Sequence, residues 1–103
     1  MDGKFHKLSN GHNSFDIYKA PADFLINITD ILIKRFEVTL ISPQPMSGLD
    51  GSYLEFKRGN IRITAGWDVW SGCFIQSYCA NGDELVLDIG NYLNTLNCKF
   101  GKE

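Results

Sequence analysis

The stretch from Ser52 to Ala80 constrains the fold of this 103-residue chain most, because it predicts three consecutive antiparallel strands. Between the first two strands, Gly59-Asn60 forms a two-residue turn in which glycine supplies the positive φ that tight hairpins need. The turn sets the register and pairs apolar residues across the hairpin, Phe56 with Ile63 and Leu54 with Ala65. The apolar side chains of both strands then lie on one face of the sheet.

A third strand is predicted from Cys73 to Cys79, after the short loop Asp68–Gly72. Its register places Phe74 opposite Gly66, where the aromatic ring covers a glycine. A slip of one residue would move Phe74 to the other face of the sheet, so this pairing is a specific prediction.

The first helix is predicted to begin at Pro21, since proline suits the first helical position, with Asp23 in the first turn. Lys34 and Arg35 close the last turn with the sign of charge that the helix dipole favours. The buried stripe follows helical spacing and comprises Phe24, Leu25, Ile28, Ile31 and Leu32.

Ile26 and Ile33 fall seven residues apart, on a different side of this helix from the buried stripe. Two interpretations are open. The helix is packed between two neighbours, which we favour because wide apolar faces are common in helices that lie on a sheet. Alternatively, the two isoleucines form a partner surface or mediate self-association.

Two further elements are predicted. A strand from Phe36 to Ser42, interpreted as the first central strand, ends at Pro43 because proline cannot donate to a ladder. A second helix follows with Asn81 or Asp83 as its cap. Its apolar arc comprises Leu85, Val86, Ile89, Tyr92, Leu93 and Leu96.

The fold class predicted from these elements is α+β, a four-stranded antiparallel sheet flanked by an N-terminal and a C-terminal helix in the order α-β-β-β-β-α. Residues 1–103 form a single domain. Residues 1–14 are expected to be a mobile arm and residues 98–103 a fraying tail. Phe15–Tyr18 alternates weakly and is a candidate for a short edge strand.

Composition excludes several classes of protein. Apolar residues make up 44% of the chain and charged residues 21%, which is an ordinary globular balance. The formal charge of −2 gives little attraction to nucleic acid or to an anionic membrane. The first twenty residues lack the apolar core of a secretory signal, so we expect a cytoplasmic protein.

The three cysteines, Cys73, Cys79 and Cys98, are an odd number and fit no disulfide framework. We interpret them as small apolar residues in a reducing compartment. His6 and His12 lie in the polar N-terminal arm, apart from any short-spaced ligand set, so we expect no metal site and no cofactor.

No catalytic motif occurs in the sequence. A Cys–His pair would have to recruit a histidine from the arm, which is a poor platform for catalytic geometry. Asp50 and Asp68 could pair, as could the acidic residues of the second helix, Asp83, Glu84 and Asp88, although capping and solvation explain the latter set. We therefore expect a protein that is not an enzyme, with a small uncharacterised enzyme as one alternative.

Two loops are predicted to meet at one end of the sheet, Pro43–Gly51 and Asp68–Gly72, because Ser52 lies beside Trp67. Aromatic, methionine and acidic residues on loops held by a sheet are typical of a protein-binding surface. The candidate partner-binding residues are Met46, Asp50, Asp68, Val69 and Trp70, with Leu49 beside them. The competing interpretation is that Trp67 and Trp70 fill the end of the core and Asp68 caps its own turn.

A nucleic-acid interface is a second alternative, on the sheet face that carries basic and aromatic side chains. Its candidate residues are Tyr53, Lys57, Arg58 and Arg62. The near-neutral charge of the chain disfavours it.

The segment from Gly51 to Gly72, which ends in Trp67-Asp68-Val69-Trp70-Ser71-Gly72, and its continuation through Ala80-Asn81-Gly82-Asp83-Glu84 resemble small immunity proteins of bacterial polymorphic or contact-dependent toxin systems. The resemblance extends over Phe15 to Leu96 in size and element order. It implies a cytoplasmic inhibitor that binds one cognate toxin domain, often a nuclease. Asp50 and Asp68 would then face basic residues of the toxin, and Trp70 would be a buried anchor.

Overall fold

The computed structural model describes residues 3–41, 46–47 and 51–96, and these ranges contain seven strands and two helices. The elements are β1 (Lys4–Lys7), β2 (Asn13–Ile17), α1 (Phe24–Phe36), β3 (Thr39–Leu40), β4 (Met46–Ser47), β5 (Gly51–Arg58), β6 (Ile61–Asp68), β7 (Gly72–Ser77) and α2 (Ala80–Asn94). No helix in the described ranges has the length and apolar character needed to cross a lipid bilayer.

The strands form one antiparallel sheet in the order β1-β2-β7-β6-β5-β3, and β4 pairs with β5 on the same edge as β3. The sheet is therefore six strands wide within the described residues. The predicted α+β class is confirmed, whereas the predicted number of four strands is wrong.

The predicted register of the central hairpin is confirmed. Phe56 pairs with Ile63 and Leu54 pairs with Ala65, as the Gly59-Asn60 turn dictates. In the next pairing Phe74 lies opposite Gly66, so the register of β7 is also confirmed. Gly66 has no room for a side chain, because a Cβ there would lie 2.6 Å from the Ser52 carbonyl oxygen and 2.7 Å from the Phe74 ring.

Both helices pack on one face of the sheet, because the buried apolar residues of the strands all point to that side. These strand residues include Phe15, Ile17, Leu54, Phe56, Ile63, Ala65, Cys73 and Ile75. The helices cover them with Ile28 and Leu32 from α1 and Val86 and Ile89 from α2. The opposite side, called the open face below, is turned away from both helices.

The helix ends differ in part from the prediction. α1 begins at Phe24, and Asp23 is its N-cap residue instead of lying inside the first turn. At its other end, Lys34 and Arg35 occupy the last turn as predicted, and Glu37 adopts a left-handed conformation with φ of 58° that stops the helix.

The cap of α2 is Cys79, whose Sγ accepts a hydrogen bond from the Gly82 N–H at 3.3 Å. The predicted caps, Asn81 and Asp83, lie inside the helix, and Asp83 stands in its first turn. A cysteine was overlooked as a cap because its sulfur is a weaker acceptor than a hydroxyl or carboxylate oxygen.

The segment predicted to be a mobile arm contains regular structure within its described residues. Residues 4–7 and 13–17 form a hairpin, β1–β2, closed by hydrogen bonds from the Leu8 N–H to the His12 carbonyl oxygen and from the Gly11 N–H to the Leu8 carbonyl oxygen. β2 is an interior strand between β1 and β7, so Phe15–Tyr18 was wrongly placed at the edge. Asn94 ties the start of this hairpin to α2 through hydrogen bonds to both backbone groups of Gly3.

Two other predictions are corrected. The strand expected from Phe36 to Ser42 is only Thr39–Leu40 within the described residues, and it starts later because Phe36 still belongs to α1. It lies at the edge of the sheet, where it pairs with β5, so it is not the predicted central strand. Ile26 and Ile33 are not packed between neighbours, since their side chains are 69% and 41% exposed. The predicted tail, 98–103, lies outside the described residues.

Truncating Phe15 tests the placement of β2. Phe15 is fully buried, and its ring packs at a tilt against that of Phe5 with ring centroids 4.8 Å apart. We expect Phe15→Ala to lower the free energy of unfolding by about 3–5 kcal/mol, measured by urea denaturation. Phe5→Ala on the exposed β1 strand should cost less. Equal and small effects would contradict the placement of this hairpin in the sheet.

Candidate functional site

The turn between β6 and β7 is held in shape by its own first residue. Asp68 Oδ1 accepts hydrogen bonds from the backbone N–H of Trp70 at 2.9 Å and of Ser71 at 2.6 Å. Gly72 then closes the turn with φ of 71°, at a point where a Cβ would lie 2.2 Å from the Ile17 carbonyl oxygen. The conformation is therefore set by backbone groups and one carboxylate.

The side chains at the tip of this turn point into solvent. Val69 is 58% exposed and Trp70 is 71% exposed. Trp67 behaves differently, because it packs against the core and its Nε1–H donates to the Ala20 carbonyl oxygen at 3.0 Å. Of the two tryptophans offered as core fillers by the competing interpretation, only Trp67 fits that role.

The two predicted loops do adjoin where the structure describes them. Gly51, which ends the first loop, pairs with Asp68, and Ser52 pairs with Trp67. Met46 lies in β4 with its backbone opposite Tyr53. Leu49 and Asp50 lie outside the described residues, so their part in this surface stays a prediction.

Tyr18 is a surface residue that the sequence analysis did not assign to the site. Since Ile17 pairs with Cys73, the backbone of Tyr18 lies next to Gly72 at the end of the turn, and its side chain is 48% exposed. The sequence signal for this position was an aromatic residue directly after the end of β2. Its place next to Gly72 follows only from the pairing of β2 with β7. We call Tyr18, Val69 and Trp70 the aromatic tip.

The predicted nucleic-acid residues do not form one surface. Tyr53, Lys57 and Arg62 lie on the open face. Arg58 is engaged elsewhere, because its Nη1 donates to the Phe36 carbonyl oxygen at the end of α1, at 3.0 Å. A carboxylate stands among the remaining three, since Glu55 shares their face and accepts hydrogen bonds from Thr64 and Tyr78. The nucleic-acid interface stays a prediction.

A histidine, a carboxylate and a hydroxyl also meet on the open face. Asp16 is buried there, accepts a hydrogen bond from the Ser14 hydroxyl at 2.7 Å, and has its Oδ2 3.5 Å from His6 Nδ1. Burial raises the pKa of Asp16, while the hydrogen bond from Ser14 and the charge of His6 oppose that rise.

This cluster does not have the geometry of a nucleophilic relay. In such relays the imidazole takes the proton of the hydroxyl and the carboxylate orients the imidazole. Here Ser14 and His6 both contact the carboxylate of Asp16. The hydroxyl is therefore held by the acid, and the arrangement stabilises a buried polar group.

His12, the second histidine, joins the N-terminal hairpin to α2. Its Nδ1 lies 3.1 Å from Asp83 Oδ2, and the Asn13 N–H donates to Asp83 Oδ1 at 2.8 Å. The Ser77 hydroxyl donates to the same carboxylate, and together these contacts lower the pKa of Asp83 to about 2. Sequence analysis assigned Asp83 to capping and missed this role in tertiary structure.

The described cysteines are structural. Burial is the main cause that raises the pKa of the Cys73 thiol, to about 12, and such a thiol carries almost no reactive thiolate at neutral pH. Cys79 uses its sulfur as the α2 cap, and Cys98 lies outside the described residues. Within residues 3–41 and 51–96, no group of three or more histidine, cysteine, aspartate or glutamate side chains is placed to hold a metal ion.

Comparison of the chain with protein-family models, with curated proteins and with solved structures found no match. The assignment of a function therefore depends on the surfaces described above.

Substitution of Asp68 tests whether its carboxylate shapes the turn. Asp68→Ala removes the acceptor for two backbone N–H groups, and we expect a loss of about 1 kcal/mol in the free energy of unfolding, comparable to removing a helix cap. Asp68→Asn keeps an acceptor oxygen and should lose clearly less. Trp70→Ala should leave stability nearly unchanged. Denaturant unfolding of the three variants checks this, and an Asn variant as unstable as the Ala variant would contradict it.

The free energy of unfolding at low pH should depend on the contacts of Asp83. Because the pKa of Asp83 lies at about 2, below its ordinary value of 3.8, folding is favoured by this carboxylate above about pH 4. That contribution is lost as the pH falls from about 4 to about 2. The difference in unfolding free energy between wild type and Asp83→Asn should therefore shrink over this range. Asp88→Asn, an exposed position on the same helix, is the matched control, and a pH-independent difference for Asp83→Asn would contradict the assignment.

Proposed function

We propose that this chain is a non-enzymatic protein-binding module, an immunity-type inhibitor that acts in the cytoplasm by binding a cognate toxin domain. One observation carries the proposal: the exposed Val69–Trp70 tip stands on a turn whose shape does not depend on those two side chains. Large exposed aromatic residues of this kind are frequent hot spots in protein interfaces.

The turn supplies rigidity that an anchor residue needs. Asp68 fixes the backbone at two N–H groups, and Gly72 packs against the Ile17 carbonyl, so the tip is braced on both sides. A side chain presented from a braced turn loses little further conformational freedom on binding, and more of its contact energy appears as affinity.

Tyr18 extends the same surface. With Val69 and Trp70 it places two aromatic rings and one branched side chain at one end of the sheet. The aromatic tip is smaller than a whole interface, which typically buries about 800 Å² per partner. The adjoining loop that contains Asp50 would supply further contact area, and its acidic residue suits the basic groove of a nuclease.

The open face supports this function less well. Its polar side chains are largely engaged with one another, as in the contacts of Glu55 with Thr64 and Tyr78 and of Asp16 with Ser14. A partner docking there would have to break these hydrogen bonds before making its own.

The test uses the C-terminal domain of the protein encoded by the gene immediately upstream, which the proposal identifies with the toxin, purified as an inactive variant. We expect it to bind this chain, and Trp70→Ala to weaken that binding about 30-fold, which corresponds to about 2 kcal/mol for a hot spot. Isothermal titration calorimetry measures the affinities. Leu87→Ala is the matched control, since Leu87 is an exposed apolar residue on α2, away from the tip.

Growth provides a second readout of the same proposal. Cells that produce the active toxin domain should survive when they also produce the wild-type chain or Leu87→Ala, and should be less protected by Trp70→Ala at equal protein level. Tight binding that is unaffected by Trp70→Ala would show that the aromatic tip is not part of the interface. The absence of any binding or protection would contradict the proposal that this chain is an inhibitor.

A further inference from the structure

A groove with an apolar floor and an acidic rim runs along α1. It lies between this helix and the β3–β5 edge of the sheet and has a volume of about 570 Å³. Leu25 and Leu54 form a nearly buried floor, with Leu40 half-buried beside them. Asp23 and Asp30 are the charged residues among those that line it.

The exposed side of α1 continues the same chemistry. Asp23, Ile26, Asp30 and Ile33 follow one another at spacings of three, four and three residues, so they form one stripe along the helix and its cap. Ile26 is 69% exposed, the most exposed isoleucine on α1, and it also lines the groove. The two isoleucines leave apolar area exposed on the side of α1 that does not pack on the core.

Two polar side chains that line the groove, Thr29 and Asp30, have partners within α1. Thr29 donates its hydroxyl to the Leu25 carbonyl oxygen at 2.8 Å, so that group is satisfied within the helix. Asp30 has one cationic contact, Lys34 Nζ at 3.7 Å, and both side chains are mostly exposed. Such a surface pair contributes little and is exchanged readily for a cation brought by a partner.

We propose that this groove binds a cationic amphipathic segment of another protein, in which apolar side chains enter between α1 and β5 and flanking lysine or arginine side chains reach Asp23 and Asp30. The side chains of the stripe recur every three or four residues, which is also the spacing of the side chains that a partner helix would present to them. The inference does not depend on the proposed toxin inhibition, because no residue of the Asp68–Gly72 turn lines the groove.

Other occupants fit less well on physical grounds. A second copy of the chain in a two-fold symmetric contact would bring the acidic stripe of one protomer against the acidic stripe of the other. A nucleic acid or an anionic lipid surface would place phosphates beside Asp23 and Asp30. Opposite charge and an apolar contact are both met by a basic amphipathic segment.

The probe is a synthetic 14-residue leucine–lysine peptide, LKKLLKLLKKLLKL, and its control is the same sequence with glutamate in place of each lysine. Titration of the 15N-labelled protein is followed by NMR amide shifts. We expect the lysine peptide to shift amides of Ile26, Leu40 and Leu54, and the glutamate peptide to leave them unchanged. Ile26→Lys and Asp30→Lys should each weaken binding at least about tenfold.

Leu87→Lys is the matched control, since it adds the same charge at an exposed apolar position on α2 and should bind the lysine peptide like wild type. Ile26 is exposed, so its variant should keep the wild-type amide spectrum elsewhere. The proposal is overturned if shifts fall outside the groove, if the glutamate peptide binds equally, or if no binding occurs. It is also overturned if sedimentation shows a dimer of the free protein that Ile26→Lys dissociates, because the groove would then belong to a second copy.

Discussion

The structure depends on the one-sided hydrophobicity of its sheet. Alternation along the strands sends residues such as Phe15, Ile63 and Ile75 to the same face, and both helices must lie there to exclude water from them. The open face is left without a helical layer, and its polar groups satisfy one another instead. The aromatic tip and the groove along α1 are two of the described surfaces that expose apolar side chains.

The central hairpin was predictable because local chemistry and long-range pattern agree there. Gly59 fixes the turn, and the alternation of apolar residues independently selects the same register. The N-terminal hairpin was misread although Asn10-Gly11 carries a comparable turn signal, with φ of 87° at the glycine. Ser14 and Asp16 make β2 look like an exposed strand. Only the paired structure reveals that their mutual hydrogen bond allows both to be buried.

The candidate surfaces were predictable to different degrees. Sequence placed Trp70 on a loop between two confirmed strands, which made its exposure foreseeable. It could not decide whether Asp68 faces a partner or its own backbone, because both roles need the same carboxylate, and the structure commits one oxygen to the turn. Predicting the groove would have required the distance between α1 and β5. The spacing of apolar residues within one helix carries no information about that distance. Ile26 and Ile33 were predicted to be packed between neighbours, and this was wrong because the strands that cover α1 lie on one side of it.

The short edges of the sheet determine how the molecule behaves at high concentration. β1 ends the sheet on one side and carries lysine at both ends, Lys4 and Lys7, while β3 on the other side is two residues long. A further strand that paired with β1 would bring its own side chains beside these lysines, and β3 offers a backbone edge of two residues within the described part of the chain. Both features disfavour polymerisation of this protein through the edges of its sheet.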